Sequence, residues 1–198
     1  MDSAEVIRES VIVPLPGCGV RIPSPTHIAA LALGHAAKHL WASLELVLSI
    51  AHLMRRHDVD WDRVRALAAR ANAWNGASAG LVLASDIFQC DLPEPLRTVP
   101  RTRTVARLVA AAKTFLSMED VEEAPRLAEF RAHRDALDTR GSRLRYAAWR
   151  LLAPSPLEPT WCRLPDGLAP LYVPLRLARL SLDVGRHVVK WPGRRPPS

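Results

Sequence analysis

"PSPTHIAALALGHAAKHLWASLELVLSIAHLMRRHD", residues 23–58, contains one glycine and no proline beyond its opening "PSP". Ser24 stands where a helix N-cap is needed. Pro25 follows at the first helical position, where its missing N–H would have had no partner anyway. The stretch predicts helix, divided into two, and sets the fold class as mainly α. Within it Ile28, Leu31, Ala32, His35 and His39 recur on one face, and Leu44, Val47, Leu48, Ala51 and Met54 on another. Both sets have the 3.6-residue spacing of a core stripe.

Before this stretch, Val11 to Val13 and Val20 to Ile22 flank the Pro-Gly turn of "PLPGCG", the pattern of a short β pair. After it, "DVDWDRVRALAARANAW" opens a third helix and "GASAGLVLASDIFQC" a fourth, until three prolines in "DLPEPLRTVP" break the pattern. "RTVARLVAAAKTFLSM", "EAPRLAEFRAHRDAL" and "SRLRYAAWRLL" read as a fifth, sixth and seventh helix. The proline-rich "APSPLEPTWCRLPDGLAP" is a loop, and "LYVPLRLARLSLDVGRHVVKW" is an apolar stretch with regularly spaced arginines. The expected organisation is an N-terminal β pair over residues 1–24, a helical domain over 25–152, and a proline-rich loop with a basic amphipathic segment over 153–198.

Length and composition narrow the function classes. At 198 residues with 48% hydrophobic content the chain can build a real core. Cys18, Cys90 and Cys162 lie too far apart for a CxxC pair or a readable disulfide framework, so a reducing compartment is expected. The acidic, polar start "MDSAEVIRES" has no apolar core of a signal peptide, and no run of apolar residues is long enough to span a bilayer, which points to the cytoplasm. The net charge of +7 is concentrated: residues 139–198 carry 11 Lys and Arg against 3 acidic residues. Such a tail suits a solvated surface or an acidic partner, with nucleic acid as the lesser possibility. The excess of 24 arginines over three lysines (Lys38, Lys113, Lys190) is also what a GC-rich coding sequence gives without any ligand.

Three patterns invite a chemical reading. Asp58, Asp60 and Asp62 alternate as magnesium-holding carboxylates do, yet they stand at a helix start, where aspartate caps free N–H groups. His35 and His39 are four apart on one helical face, the spacing of two metal ligands, but the intervening Ala-Ala-Lys supplies neither a third ligand nor a general base. Lys38 repels a divalent cation, so a buried polar contact or a docking surface is the expected role and no metal is assigned. No GxSxG, Ser-x-x-Lys or Walker motif occurs, and Gly141-Ser142 enters a basic helix.

Residues 20–96 are similar to the helical C-terminal portion of the uncharacterised bacterial nucleotidyltransferase family, relatives of the polymerase-β-type enzymes. His35, Lys38 and His39 match a His-Gly-Ala-Lys-His-x-Trp-like motif, Leu44, Ile50 and Ala51 the helix that follows, Asp60 and Trp61 an Asp-Trp helix start, and Leu92 and Pro93 a closing Leu-Pro. The later Tyr172, Arg176, Arg179 and Leu180 resemble the family's Tyr-x-x-x-Arg-x-x-Arg-Leu tail. Two positions depart: Val47 and Ser49 stand where the family has tryptophan and aspartate.

The resemblance implies a catalytic half with a Gly-rich turn and an Asp-x-Asp pair ahead of this region, and those are absent from the residues before it. On this reading residues 1–24 are the remnant of the junction to that half. The expected function is a non-catalytic helical domain that binds or completes a partner. Alternatives are the C-terminal part of an active nucleotidyltransferase whose start was misplaced, or a basic nucleic-acid-binding module. The resemblance places His35, Lys38, His39 and Trp41 at a cleft, with Arg176 and Arg179 facing a partner. No cofactor is expected in this chain itself; magnesium and a nucleoside triphosphate would enter with a catalytic half. A protein partner or a homodimer is expected, and no membrane span.

Overall fold

The computed structural model describes residues 3–97, 101–118, 126–153 and 165–189. It is mainly helical, with one two-stranded sheet near the N-terminus. The chain divides into two compact units, residues 1–143 and 144–198.

The first unit opens with a six-residue helix that the sequence pattern did not announce, α1 (Ser3–Arg8). Ion pairs hold it: Glu5 to Arg63 at 3.2 Å and to Arg70 at 2.8 Å, and Glu9 to Arg63 at 2.6 Å. The antiparallel strands β1 (Val11–Leu15) and β2 (Cys18–Ile22) follow, closed by Pro16 and Gly17, whose φ of 85° only glycine adopts without strain. Pro14 lies opposite Gly19. Because proline has no N–H, that pair is a non-hydrogen-bonded one and the missing donor falls on β1's outer edge, whereas Gly19 and Arg21 keep theirs on the outer edge of β2. Val11, Val13, Leu15, Cys18, Val20 and Ile22 share one face of this hairpin.

Helices α2 (Pro25–Lys38), α3 (Leu44–Met54), α4 (Trp61–Arg70), α5 (Trp74–Phe88) and α6 (Arg103–Leu116) enclose the core, and α7 (Arg126–Ala136) packs against α6, α5 and α2. Ser24 does cap α2, its Oγ accepting the His27 N–H, and Asp60 caps α4 by accepting the Arg63 N–H at 2.9 Å. The expected boundary between the third and fourth helices is corrected: α4 ends at Arg70 and Trp74 already belongs to α5. Asn72 takes the left-handed conformation (φ 54°), which asparagine tolerates, and this breaks the helix sooner than apolar periodicity suggested.

Helix α5 is the central element, with every residue from Gly76 to Ala84 buried. Its glycines permit close approach. A Cβ at Gly80 would stand 2.9 Å from Trp41 Nε1 and 3.2 Å from Ile50 Cδ1, and one at Gly76 would stand 3.2 Å from the Ala37 Cβ. Ala73, at the N-cap of α5, offers no side-chain acceptor; Asp138 supplies one from 63 residues away. Its two carboxylate oxygens accept the Trp74 N–H at 2.9 Å and the Asn75 N–H at 2.7 Å.

The expected core stripe on α2 is corrected, and that on α3 holds at Val47, Ala51 and Met54. On α2 the buried line is Thr26, Ala29, Leu33 and Ala36, continuing to Leu40, while Leu31, His35 and His39 face solvent. On α3, Val47, Ile50, Ala51 and Met54 are buried, but Leu44 and Leu48 are more than half exposed. The reason is that α2 is apolar nearly all round, so its periodicity fits more than one face. The small residues Ala29 and Ala36 let α5 seat on the face it uses.

Helix α8 (Arg140–Leu152) runs from the first unit into the second. In the second unit a 3₁₀ segment (Asp166–Leu171) packs on α9 (Tyr172–Val189), whose Pro174 is tolerated in the first turn. Arg176 Nη2 donates to the carbonyl of Arg150 at 2.7 Å, and the rings of Tyr146 and Trp149 lie 6.4 Å apart. Most of the proline-rich loop expected after α8 lies outside the described residues.

Candidate functional site

The "HAAKHLW" segment is the C-terminal end of α2, and its residues part company there. The helix stops without glycine because Leu40 (φ 54°) and Trp41 (φ 53°) both adopt the left-handed conformation. Two such residues cost on the order of 1–3 kcal/mol each. The turn carries the Trp41 side chain into the core, where the residue is 1% exposed, and its backbone N–H donates to the Ala36 carbonyl at 2.9 Å. Burying an indole of this size is the term that offsets the strained turn. Trp41 is thus part of the core, while His35, Lys38 and His39 stand outside it.

His35 and His39 have ring centroids 4.6 Å apart, tilted by 54°. Among the described residues no group of three or more His, Cys, Asp or Glu side chains converges to hold a metal ion. A third imidazole approaches the same helix end from α7: His133 Nε2 donates to the Lys38 carbonyl at 2.9 Å. Exposed Leu31 extends the patch toward the N-terminus of α2. At Ser49, one of the two positions that depart from the pattern the sequence resembles, the hydroxyl donates to the Glu45 carbonyl on its own helix.

The aspartates of "DVDWD" are occupied elsewhere. Asp60 spends Oδ1 on the cap of α4, and Asp58 pairs with both Nε and Nη2 of Arg56. The hydrogen bond from Arg56 lowers the Asp58 carboxyl below its ordinary value against an opposing effect of burial, and raises the Arg56 guanidinium in turn. Carboxylates already engaged by a helix N-terminus and a guanidinium do not form a magnesium-holding set, so the residues present do not fit that ion.

A cleft of about 620 Å³ opens between the C-terminal ends of α3 and α5 and the start of α4. Met54, Val59, Trp61 and Cys90 are buried beneath it, Arg55 and His57 stand on one wall, and Asp91 on the other. Sequence reasoning did not anticipate it. The prolines of "DLPEPL" mark where the chain leaves α5, but they do not say that this exit lies beside residues 54–61. Arg176 and Arg179, expected to face a partner, are 5% and 7% exposed within the second unit. Basic side chains of this tail that reach solvent include Arg145 and Arg150 on α8.

Comparison with known proteins bears on the first unit. A family model described as "Uncharacterised nucleotidyltransferase" matches residues 2–89, from α1 to just past the end of α5. That span includes the hairpin and the whole "HAAKHLW" turn, and it leaves the cleft's far wall, α6 to α9 and both buried arginines outside. No curated protein and no solved structure matches the chain. Among the described residues no helix is long and apolar enough to cross a membrane.

Proposed function

We propose that this chain is a non-catalytic helical domain of nucleotidyltransferase-like type that binds or completes a protein partner. The observation that carries this reading is the hairpin. Val11, Ile12, Leu15 and Val20 are 40 to 62% exposed, although strands of this composition are ordinarily covered on at least one face. Its β2 edge keeps open backbone donors and acceptors at Gly19 and Arg21, the arrangement to which a further strand adds. The exposed α2 patch of Leu31, His35, Lys38 and His39 supplies a polar and apolar border from the same matched span. The non-catalytic reading is supported by the engagement of Asp58 and Asp60, two of the alternating aspartates that would otherwise suit a metal–phosphate complex.

Nucleic-acid binding is the second reading, carried by the basic C-terminal third. The burial of Arg176 and Arg179 weighs against it, since those two guanidinium groups are not presented to phosphates.

Sedimentation velocity with hydrogen exchange tests the proposal. The expected result is a dimer, or a complex with a supplied nucleotidyltransferase catalytic half, in which hairpin amides of residues 11–22 become protected, those of Gly19 and Arg21 above all. Labelled nucleoside triphosphates with magnesium are expected to remain unturned by the chain alone. A monodisperse monomer whose hairpin amides, residues 11–22, stay unprotected in every mixture would defeat the partner reading. Turnover lost on changing Asp58, Asp60 and Asp62 together would defeat the non-catalytic one.

A further inference from the structure

The two edges of the hairpin are not equivalent. On β1, Pro14 removes an outward N–H, so that edge cannot carry a continuous ladder. On β2, Gly19 and Arg21 turn both N–H and C=O outward. Both residues are exposed, and among the described residues neither makes a backbone hydrogen bond beyond the hairpin. The hairpin therefore has one edge competent to take a further strand.

We propose that the strand added there is β2 of a second copy of this chain, paired antiparallel about a two-fold axis beside Val20. The inference rests on the partner reading above and names the partner.

Register is what selects this occupant. In an antiparallel ladder outward groups must meet outward groups, so Gly19 and Arg21 can pair only with Gly19 or Arg21 of the second copy. Arg21 opposite Arg21 sets like charges against each other, which destabilises a sheet. Gly19 opposite Gly19 carries Arg21 past the end of the other strand. Gly19 opposite Arg21 uses every outward group of both strands, and each such pair exchanges two N–H···O bonds.

The side chains fit that register. A Cβ at Gly19 would stand 2.9 Å from Ile12 Cγ2, so the position is kept bare and opposes no side chain of its own to Arg21 of the second copy. Arg21 Nη1 donates to Ser10 Oγ at 3.2 Å, just before β1, which draws the charge across its own hairpin and not over the open edge. On the other face Val20 meets Val20 and Cys18 meets Ile22, both apolar cross-strand pairs. Because Pro14 closes the far edge of each hairpin, addition stops at two copies and gives a closed pair, not an open-ended ladder.

Disulfide trapping tests the register. Val20 and its counterpart form a non-hydrogen-bonded pair, whose Cα atoms lie about 4.5 Å apart, within reach of a disulfide. In the full chain carrying Cys18→Ser and Cys162→Ser, either Val20→Cys or Ile12→Cys is added and the protein is exposed to oxidised glutathione. Val20→Cys is expected to give a covalent dimer, and Ile12→Cys, on the other strand, to stay a single chain on a non-reducing gel. Arg21→Pro removes one outward donor and no bond within the hairpin, so in sedimentation velocity it is expected to halve the sedimenting mass. Val20→Cys that cross-links no better than Ile12→Cys would overturn the pairing, and so would an Arg21→Pro variant that keeps the dimer mass. The cross-linking decides it even if the proline variant folds poorly. Hairpin amides protected by a supplied catalytic half but not by the chain itself would overturn the second-copy pairing and leave the partner reading standing; protection by neither would remove both.

Discussion

The α2–α5 core and the β1–β2 hairpin are built from the same kinds of side chain and treat them in opposite ways. Leu33, Leu81 and Leu83 are at most 2% exposed, whereas Ile12 and Leu15 are 62% and 51% exposed. The difference does not lie in hydrophobicity. Each core helix has neighbours on several sides, and α5 alone packs on α2, α3, α4, α6 and α7, while the hairpin's two strands pair chiefly with each other. A two-stranded ribbon has no second layer of its own, so its apolar face depends on whatever else is brought to it. Burial here is a property of the neighbourhood, and among the described residues little packs on residues 11–22.

The sharpest way to break that comparison is to delete one side chain from each region. Leu83→Ala should destabilise the protein by about 2–5 kcal/mol, the cost of a cavity in a packed core. Ile12→Ala should stay within about 0.5 kcal/mol in denaturant titration of the isolated chain, as exposed substitutions do. A loss at Ile12 as large as that at Leu83 would show that the hairpin is already covered, most simply by self-association.

A smaller effect sharpens the same contrast between local and remote support. Asp138→Ala removes the cap that α5 draws from across the fold and leaves two N–H groups without their acceptor, so it should cost about 1–2 kcal/mol in thermal or chemical unfolding. Asp60→Ala, which removes a cap made within its own turn, should cost about 1 kcal/mol. Equal losses would mean that the long-range bonds add nothing to a helix start.

The smallest effect concerns the element that borders the hairpin. The Arg70 side chain, by hydrogen bond and charge, holds the Glu5 carboxyl below its ordinary value against an opposing effect of burial, with Arg63 adding to it. A depressed carboxyl stabilises the folded state above its unfolded value and loses that contribution as pH falls through the folded one. Protection of α1 amides should therefore decline below about pH 4, and Glu5→Gln should abolish the acid step while leaving α5 unchanged. An α1 that stays protected in acid would show that packing, not its ion pairs, attaches it.

The legible parts of this protein are those whose cause lies within a few residues. Ser24 with Pro25, Asp60 before Trp61, and Pro16-Gly17 between two β-branched runs each announce an element because the capping hydrogen bond or turn conformation is made locally. The "HAAKHLW" segment was legible as helix, and its two histidines do lie on one face. Trp41 was misplaced beside them because two consecutive non-glycine residues in the left-handed conformation are not something a sequence pattern predicts. The cleft was not legible at all, since its walls come from residues 54–61 and 89–95, joined only when α3 and α5 pack.

By itself, then, the sequence determined a mainly helical chain, an N-terminal β pair, most helix positions and the caps of α2 and α4, since apolar period and hydrogen bonds over one turn are short-range. Only the tertiary structure decided which face of α2 is inside, because a helix apolar nearly all round is oriented by its neighbour, and α5 with Gly76 and Gly80 approaches along Ala29, Leu33 and Ala36. It alone brought Asp138 to the start of α5 and His133 to the end of α2, and buried Arg176 and Arg179 although their charge suggested surface. Each of these contacts joins residues far apart in the chain or overrides a local preference with packing, and no spacing along the chain encodes them.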